Sequence, residues 1–148
     1  MILSDLTKDD SQKAALLHQQ VFFKGWTAAD FLELLKEPLI HGRKITANGA
    51  LGGYILWREI GHEAEVLTLV VAPSFQKQGL GTLLLNNLIS HLVQKEVTHL
   101  FIEVAEDNGP GRTFYEKNNF IYLGERQNYY QRKGDKFVSA LNFSKKLL

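Results

Sequence analysis

The stretch that decides the fold is Leu67-Thr68-Leu69-Val70-Val71-Ala72-Pro73-Ser74-Phe75-Gln76-Lys77-Gln78-Gly79-Leu80-Gly81-Thr82, running on to Lys95. Leu67 to Ala72, apolar but for Thr68, completes a strand from Glu63 to Val71 of the kind covered on both faces, and Pro73 closes it. From Gly79 to Lys95 the period changes. Leu80, Leu84, Leu88 and Leu92, with Leu85, Ile89 and Val93, recur at i, i+4 and predict the clearest helix of the chain. Between them, two glycines one residue apart let main-chain N–H groups point into a shared concavity. The helix N-terminus adds partial positive charge, so the turn suits a phosphate; glycine geometry alone would explain it equally well. It is neither a Walker A loop, since no lysine stands between Gly81 and Thr82, nor a dinucleotide fingerprint, since Leu84 replaces the third glycine.

Working outward, Ile2–Leu6 alternates as a short strand, and Lys8–Phe23 reads as a helix with Ala14, Leu17, Val21, Ala15, His18 and Phe22 on one side. Trp26–Lys36 is a second helix, capped by Thr27 and stopped by Pro38, with Phe31, Leu32, Leu34 and Leu35 inward. Arg43–Ala47 and Ala50–Ile60 flank Asn48-Gly49 as a hairpin, and Gly61-His62 is the next break. Downstream, His99–Ala105 predicts a strand, Pro110–Lys117 a helix and Phe120–Leu123 a strand. Tyr129–Gln131 and Phe137–Phe143 predict a last hairpin. The order β-α-α-β-β-β-α-β-α-β-β, with hairpins before two strand-helix-strand crossovers, predicts an α/β (α+β) fold. Its mixed, mostly antiparallel central sheet would carry helices on both faces.

The 148 residues suit one domain, 1–148, with no repeat or low-complexity linker. Absence of cysteine removes disulfides, thiolate metal sites and a cysteine acyl-enzyme. His18, His41, His62, His91 and His99 show no ligand spacing, so no metal is expected, and no Gly-x-Ser-x-Gly elbow marks a serine hydrolase. A net charge of +1 gives no field for nucleic acid, and no apolar run is long enough for a membrane span. Met1-Ile2-Leu3-Ser4-Asp5 lacks a basic n-region, so a cytoplasmic protein is expected. Charge is uneven. Residues 1–110 hold nine basic and thirteen acidic side chains, residues 111–148 eight and three. Arg126, Arg132, Lys133, Lys136, Lys145 and Lys146 supply most of the basic excess, which reads as solvated faces of edge strands.

Val71-Ala72-Pro73 followed by Gln76-x-x-Gly79-x-Gly81 resembles the acetyl-coenzyme A loop of the GCN5-related N-acetyltransferases. Phe101-Ile102-Glu103-Val104, Asn108, Phe114-Tyr115-Glu116-Lys117, Phe120 and Arg126-Gln127-Asn128-Tyr129-Tyr130 resemble the branch that acetylates the N-terminal alanine of a small-subunit ribosomal protein. The resemblance is in register over about 65–143. It departs at Gly109-Pro110-Gly111-Arg112, at Asn119 where glycine is usual, and at Ala105 where arginine is common. It implies acetyl-CoA as co-substrate, its pyrophosphate on Gln76, Lys77, Gln78, Gly79, Leu80, Gly81 and Thr82 and its pantetheine arm along Leu69, Val70 and Val71. Asn108 would touch the cofactor as well as cap the helix before which it stands. Glu103 would be the general base and Tyr115 the acid that protonates the leaving thiolate. Tyr129 and Tyr130 would line the groove for the ribosomal protein's N-terminal segment, the enzyme being a monomer or weak dimer.

The residues speak for themselves only in part. A carboxylate within the apolar Leu100–Ala105 run is costly unless paired or hydrated, and burial would raise its pKa toward a base's working range. Without the resemblance, Glu103 could equally reach solvent or a structural arginine, Tyr115 could be a core aromatic, and Tyr129 and Tyr130 a packed cross-strand pair. An α-amine, with a reference pKa of ~7.7–8.0, is an easier nucleophile near neutrality than a lysine at ~10.4. Alternatives are a different acceptor amine, or an acyl-CoA-binding module without catalysis. The acidic body suggests attraction for a basic peptide terminus.

Overall fold

The computed structural model describes residues 1–148. Its elements are β1 (Ile2–Asp5), α1 (Ser11–Val21), α2 (Ala28–Lys36), β2 (Ile40–Ala47), β3 (Ala50–Ile60), β4 (Glu63–Val71), α3 (Leu80–Gln94), β5 (His99–Ala105), α4 (Gly109–Lys117), β6 (Ile121–Gln131) and β7 (Phe137–Lys146). The strands form one sheet in the order β1-β2-β3-β4-β5-β7-β6, antiparallel throughout except for β4 with β5. The predicted α/β order is the observed one.

Local chemistry places the boundaries. Thr27 caps α2 reciprocally: Asp30 N–H donates to its hydroxyl at 3.1 Å, and its own N–H donates to the Asp30 carboxylate at 2.9 Å. Asn48 and Gly49 both take positive φ, the requirement of a two-residue hairpin turn between β2 and β3. Asn119 is left-handed at φ 66°, and Phe120 N–H bonds back to Tyr115 O at 3.0 Å, so asparagine serves where glycine usually ends such a helix.

Two cores sandwich the sheet. Leu80, Leu84, Leu85, Leu88 and Leu92 of α3, with Tyr115 of α4, pack on one face against Ile55, Val66, Leu100, Ile102, Leu141 and Phe143. On the other face Ala14, Ala15 and Leu17 of α1 and Phe31 of α2 meet Tyr54, Leu56 and Val70. Some inward expectations do not hold: Val21 and Leu32 are exposed, because α1 ends at Val21 and only one narrow stripe of α2 meets the sheet. The expected final hairpin also changes. Phe120–Leu123 and Tyr129–Gln131 are the two ends of one edge strand, β6, kept paired to β7 across register breaks at Tyr122/Gly124 and Arg126/Tyr130. And β2 begins at Ile40, not Arg43, since His41 and Gly42 pair with Trp57 and Leu56.

Candidate active site

The site begins where two strands part. β4 and β5 pair only through Glu63–Val66 and His99–Ile102, and beyond them Leu67–Val71 and Glu103–Ala105 diverge. Ala72 N–H donates to Gly52 O at 2.8 Å. By the alternation of an antiparallel ladder, the N–H groups of Leu69 and Val71 therefore point away from β3, into the opening. The Val70 N–H turns the other way, into the β3–β4 ladder, so it is not part of that donor row. An extended, amide-rich ligand arm could lie along Leu69 and Val71 as an added strand.

α3 starts at the mouth of this opening. Its N-cap is Gly79, left-handed at φ 80°, which offers no side chain to the first N–H groups of the helix. Leu80, Gly81 and Thr82 thus present main-chain donors, while the Leu80 side chain is buried in the core. A Cβ on Gly81 would lie 3.4 Å from the Phe114 ring and 3.8 Å from Val71 Cγ2, so helix start, strand end and α4 converge there. These donors fit a diphosphate. Gln76 is spent otherwise: its amide donates to Val71 O at 3.3 Å. Lys77 and Gln78 are exposed on the loop, and Asn108 accepts from Gly111 N–H at 3.0 Å, the capping role its position suggested.

Tyr115 is buried, its ring edge-on to Phe114 and Phe120 at 5.0 and 5.2 Å. Burial holds its phenol well above the ordinary tyrosine value. Its hydroxyl has no hydrogen-bond partner in the chain and yet is not sealed from solvent.

Glu103 is not the buried carboxylate expected. Its side chain is 29% exposed, because the odd positions of β5 face the side that α1 and α2 leave uncovered, and Arg126 forms an ion pair with it. Register explains the reach: Arg126 pairs with Ala140 of β7, which pairs with Ala105, two residues along β5 from Glu103, so Arg126 reaches the carboxylate diagonally over the small Ala140 beside Asn142, the β7 partner of Glu103. Arg126 also lies 3.9 Å over the Tyr129 ring, which the bulge at Gln127–Tyr129 folds toward it. Tyr130 completes the group, half-buried, with burial and then the Glu103 charge raising its phenol pKa. Glu103, Tyr129 and Tyr130 are thus brought together, while Tyr115 and the glycine turn lie with the α3 face of the sheet. Sequence reasoning passed over Arg126 as a site residue, counting it among solvated cations.

Beyond the end of β5, Phe23, Asp107, Arg132, Lys133, Lys136 and Phe137 line a cleft of about 610 Å³. Arg132 is held bidentately by Asp107 at 2.7 Å on both arms, and each group's pKa moves to favour its charge. This rim is basic, against the expected acidic attraction. Lys24, next to Phe23 in the loop between α1 and α2, donates to Gln131 of β6 at 2.8 Å.

A sequence profile of the acetyltransferase (GNAT) family matches residues 8–120. The chain belongs to this family. It is 28% identical over 145 residues to the [ribosomal protein bS18]-alanine N-acetyltransferase of Escherichia coli K12, covering 96% of this chain and 97% of that one. It is 32% identical over 135 residues, 87% and 84% of the two chains, to the N-alpha-acetyltransferase RimI of Mycobacterium tuberculosis. The crystal structure of the E. coli ribosomal-protein-S18-alanine N-acetyltransferase superposes with a TM-score of 0.91 at 26% identity, over 99% of this chain and 93% of that one. Ard1 from Thermoplasma volcanium shares the fold at TM-score 0.88 and 22% identity, over 99% and 97%. The chain is therefore an N-acetyltransferase of a family that uses acetyl-CoA. No three His, Asp or Glu side chains are gathered as a metal site would need, and no helix is long and apolar enough to cross a membrane.

Proposed function

We propose that this acetyltransferase moves the acetyl group of acetyl-CoA to the N-terminal amine of a protein, with the alanine terminus of a small-subunit ribosomal protein as its acceptor. The observation that carries the reading is the parting of β4 from β5 after four paired residues, which leaves main-chain donors on one strand beside the Glu103 carboxylate on the other. The names of the relatives support the acceptor. Acetyl-CoA would lie with its diphosphate on the N–H groups of Leu80, Gly81 and Thr82 and its arm along Leu69 and Val71. An N–H facing the opening would then stabilise the oxygen of the thioester carbonyl as the amine adds. Glu103, directly or through one water, takes the proton that the amine loses, and Tyr115 supplies one to the sulfur as the C–S bond breaks. Tyr129, Tyr130 and the cleft beyond β5 would hold the chain behind the acceptor alanine.

The test is thiol release from acetyl-CoA with an alanine-first octapeptide, set against the same peptide N-acetylated, free lysine and a polyamine. Release with the first alone is expected; release only with lysine or the polyamine would move the reading to a small-amine acetyltransferase. Glu103→Gln should lower kcat by about 10²- to 10⁴-fold, the worth of a general base, with little change in acetyl-CoA affinity.

A further inference from the structure

Arg126 stands where the acceptor must go. Its guanidinium is ion-paired with Glu103, and it reaches that carboxylate across Ala140 from the edge strand. The same guanidinium has a second seat already in contact, the Tyr129 ring at 3.9 Å. Half of the Arg126 side chain is exposed, so the guanidinium can leave the first seat without opening the core. An arriving N-terminal ammonium carries the same charge and seeks the same two oxygens. A guanidinium and an ammonium cannot both occupy them without like-charge repulsion and a loss of hydrogen bonds.

We propose that Arg126 is a latch on the acceptor site: in the resting enzyme it fills the place on Glu103 that the acceptor's ammonium takes, and it withdraws on to Tyr129 as the amine arrives. The inference rests on the reading of Glu103 as the group that receives the amine. The latch makes the acceptor displace an internal cation, so a neutral terminus, such as an already acetylated one, gains nothing by approaching. Arg126 is thus a specificity-determining residue for a charged primary amine. Tyr129 offers the displaced cation the face of its ring.

Binding of the alanine-first octapeptide to the CoA complex, where no acetyl group is present to transfer, isolates this step. Titration calorimetry is to be run on the wild type, Arg126→Gln, Arg126→Lys, Glu103→Gln and the Glu103→Gln/Arg126→Gln double variant. Freeing Glu103 by Arg126→Gln should tighten the peptide roughly two- to fivefold, the range of a partly exposed ion pair. Arg126→Lys should stay near the wild type. The gain should vanish for the N-acetylated peptide and in the Glu103→Gln background, since the coupling runs through that carboxylate. Weaker or unchanged binding in Arg126→Gln overturns the latch, as does the same gain for the N-acetylated peptide or without Glu103. A Glu103→Gln enzyme with full turnover would instead sink the reading of Glu103 as base, a separate readout in a separate assay.

Discussion

Tyr115 carries two demands that pull against each other. Its ring fills the core between Phe114 and Phe120, and burial pushes its phenol up, away from donating a proton. In the proposed reaction the proton goes to a sulfur whose thiol, ordinarily near ~8.5, holds it less tightly than a phenol does. Transfer therefore has to accompany C–S cleavage, since a bare thiolate beside so buried a ring is also costly. Tyr115→Phe keeps the ring and removes only a hydroxyl that bonds nothing in the chain. We expect kcat to fall about 10²-fold or more with the melting temperature unchanged, checked by thiol release and thermal unfolding. An unchanged kcat would leave Tyr115 a core aromatic. At this scale the sequence was legible where a residue broke its surroundings: Glu103 was conspicuous in an apolar strand. Arg126 was not, because an arginine on an edge strand looks like any solvated cation until the register carries it over Ala140.

The elements divide in the same manner. The strand–turn–helix unit announced itself through a change of period and two glycines, and those glycines do different work. Gly79 needs its left-handed φ of 80°, and open space surrounds the position of a Cβ, so Gly79→Ala meets strain in the backbone alone. A cost of ~1–2 kcal/mol follows, with a melting temperature lower by roughly 2–8 °C for a chain of this size. Gly81 is helical, and a methyl there would press toward Phe114 at 3.4 Å and occupy the concavity itself. Gly81→Ala should melt close to the wild type while KM for acetyl-CoA rises. If both variants lost stability and kept KM, the turn would be a joint and no anion seat. What the sequence left unreadable was pairing between distant strands. That β7 inserts between β5 and β6, and that one bulged β6 carries both Arg126 and Tyr130, follow from closing the sheet, which no local pattern encodes.

For the molecule as a whole, the question is what holds the α1–α2 layer to the half of the sheet that opens. His18 sits on the apolar side of α1, as the helical period predicted, but its neighbours make it a pin. Trp26 N–H donates to its Nδ1 at 3.0 Å, so the ring's proton is on Nε2, 3.1 Å from the Thr68 hydroxyl in β4. The ring stacks on Trp26 at 4.6 Å and touches Phe31 edge-on at 5.6 Å. One imidazole thus ties α1, the α1–α2 loop and the strand next to Leu69. Burial lowers its pKa to about 4, with the Asp30 charge pulling weakly the other way. The unfolded chain takes up this proton near 6.5. Above that pH both states are neutral and the pin holds in full. Between 6.5 and 4 only the unfolded chain gains the proton, so stability falls by ~1.4 kcal/mol per pH unit, about 3 kcal/mol in all. Unfolding free energies from denaturant titrations at pH 7.5 and 5.0 should therefore differ by ~2 kcal/mol for the wild type and by much less for His18→Gln, which cannot titrate. A variant as pH-sensitive as its parent would place the acid-labile joint elsewhere. Because Lys24 of the same loop reaches Gln131 of β6, loosening this pin should also raise KM for the peptide at pH 5 before it unfolds the chain.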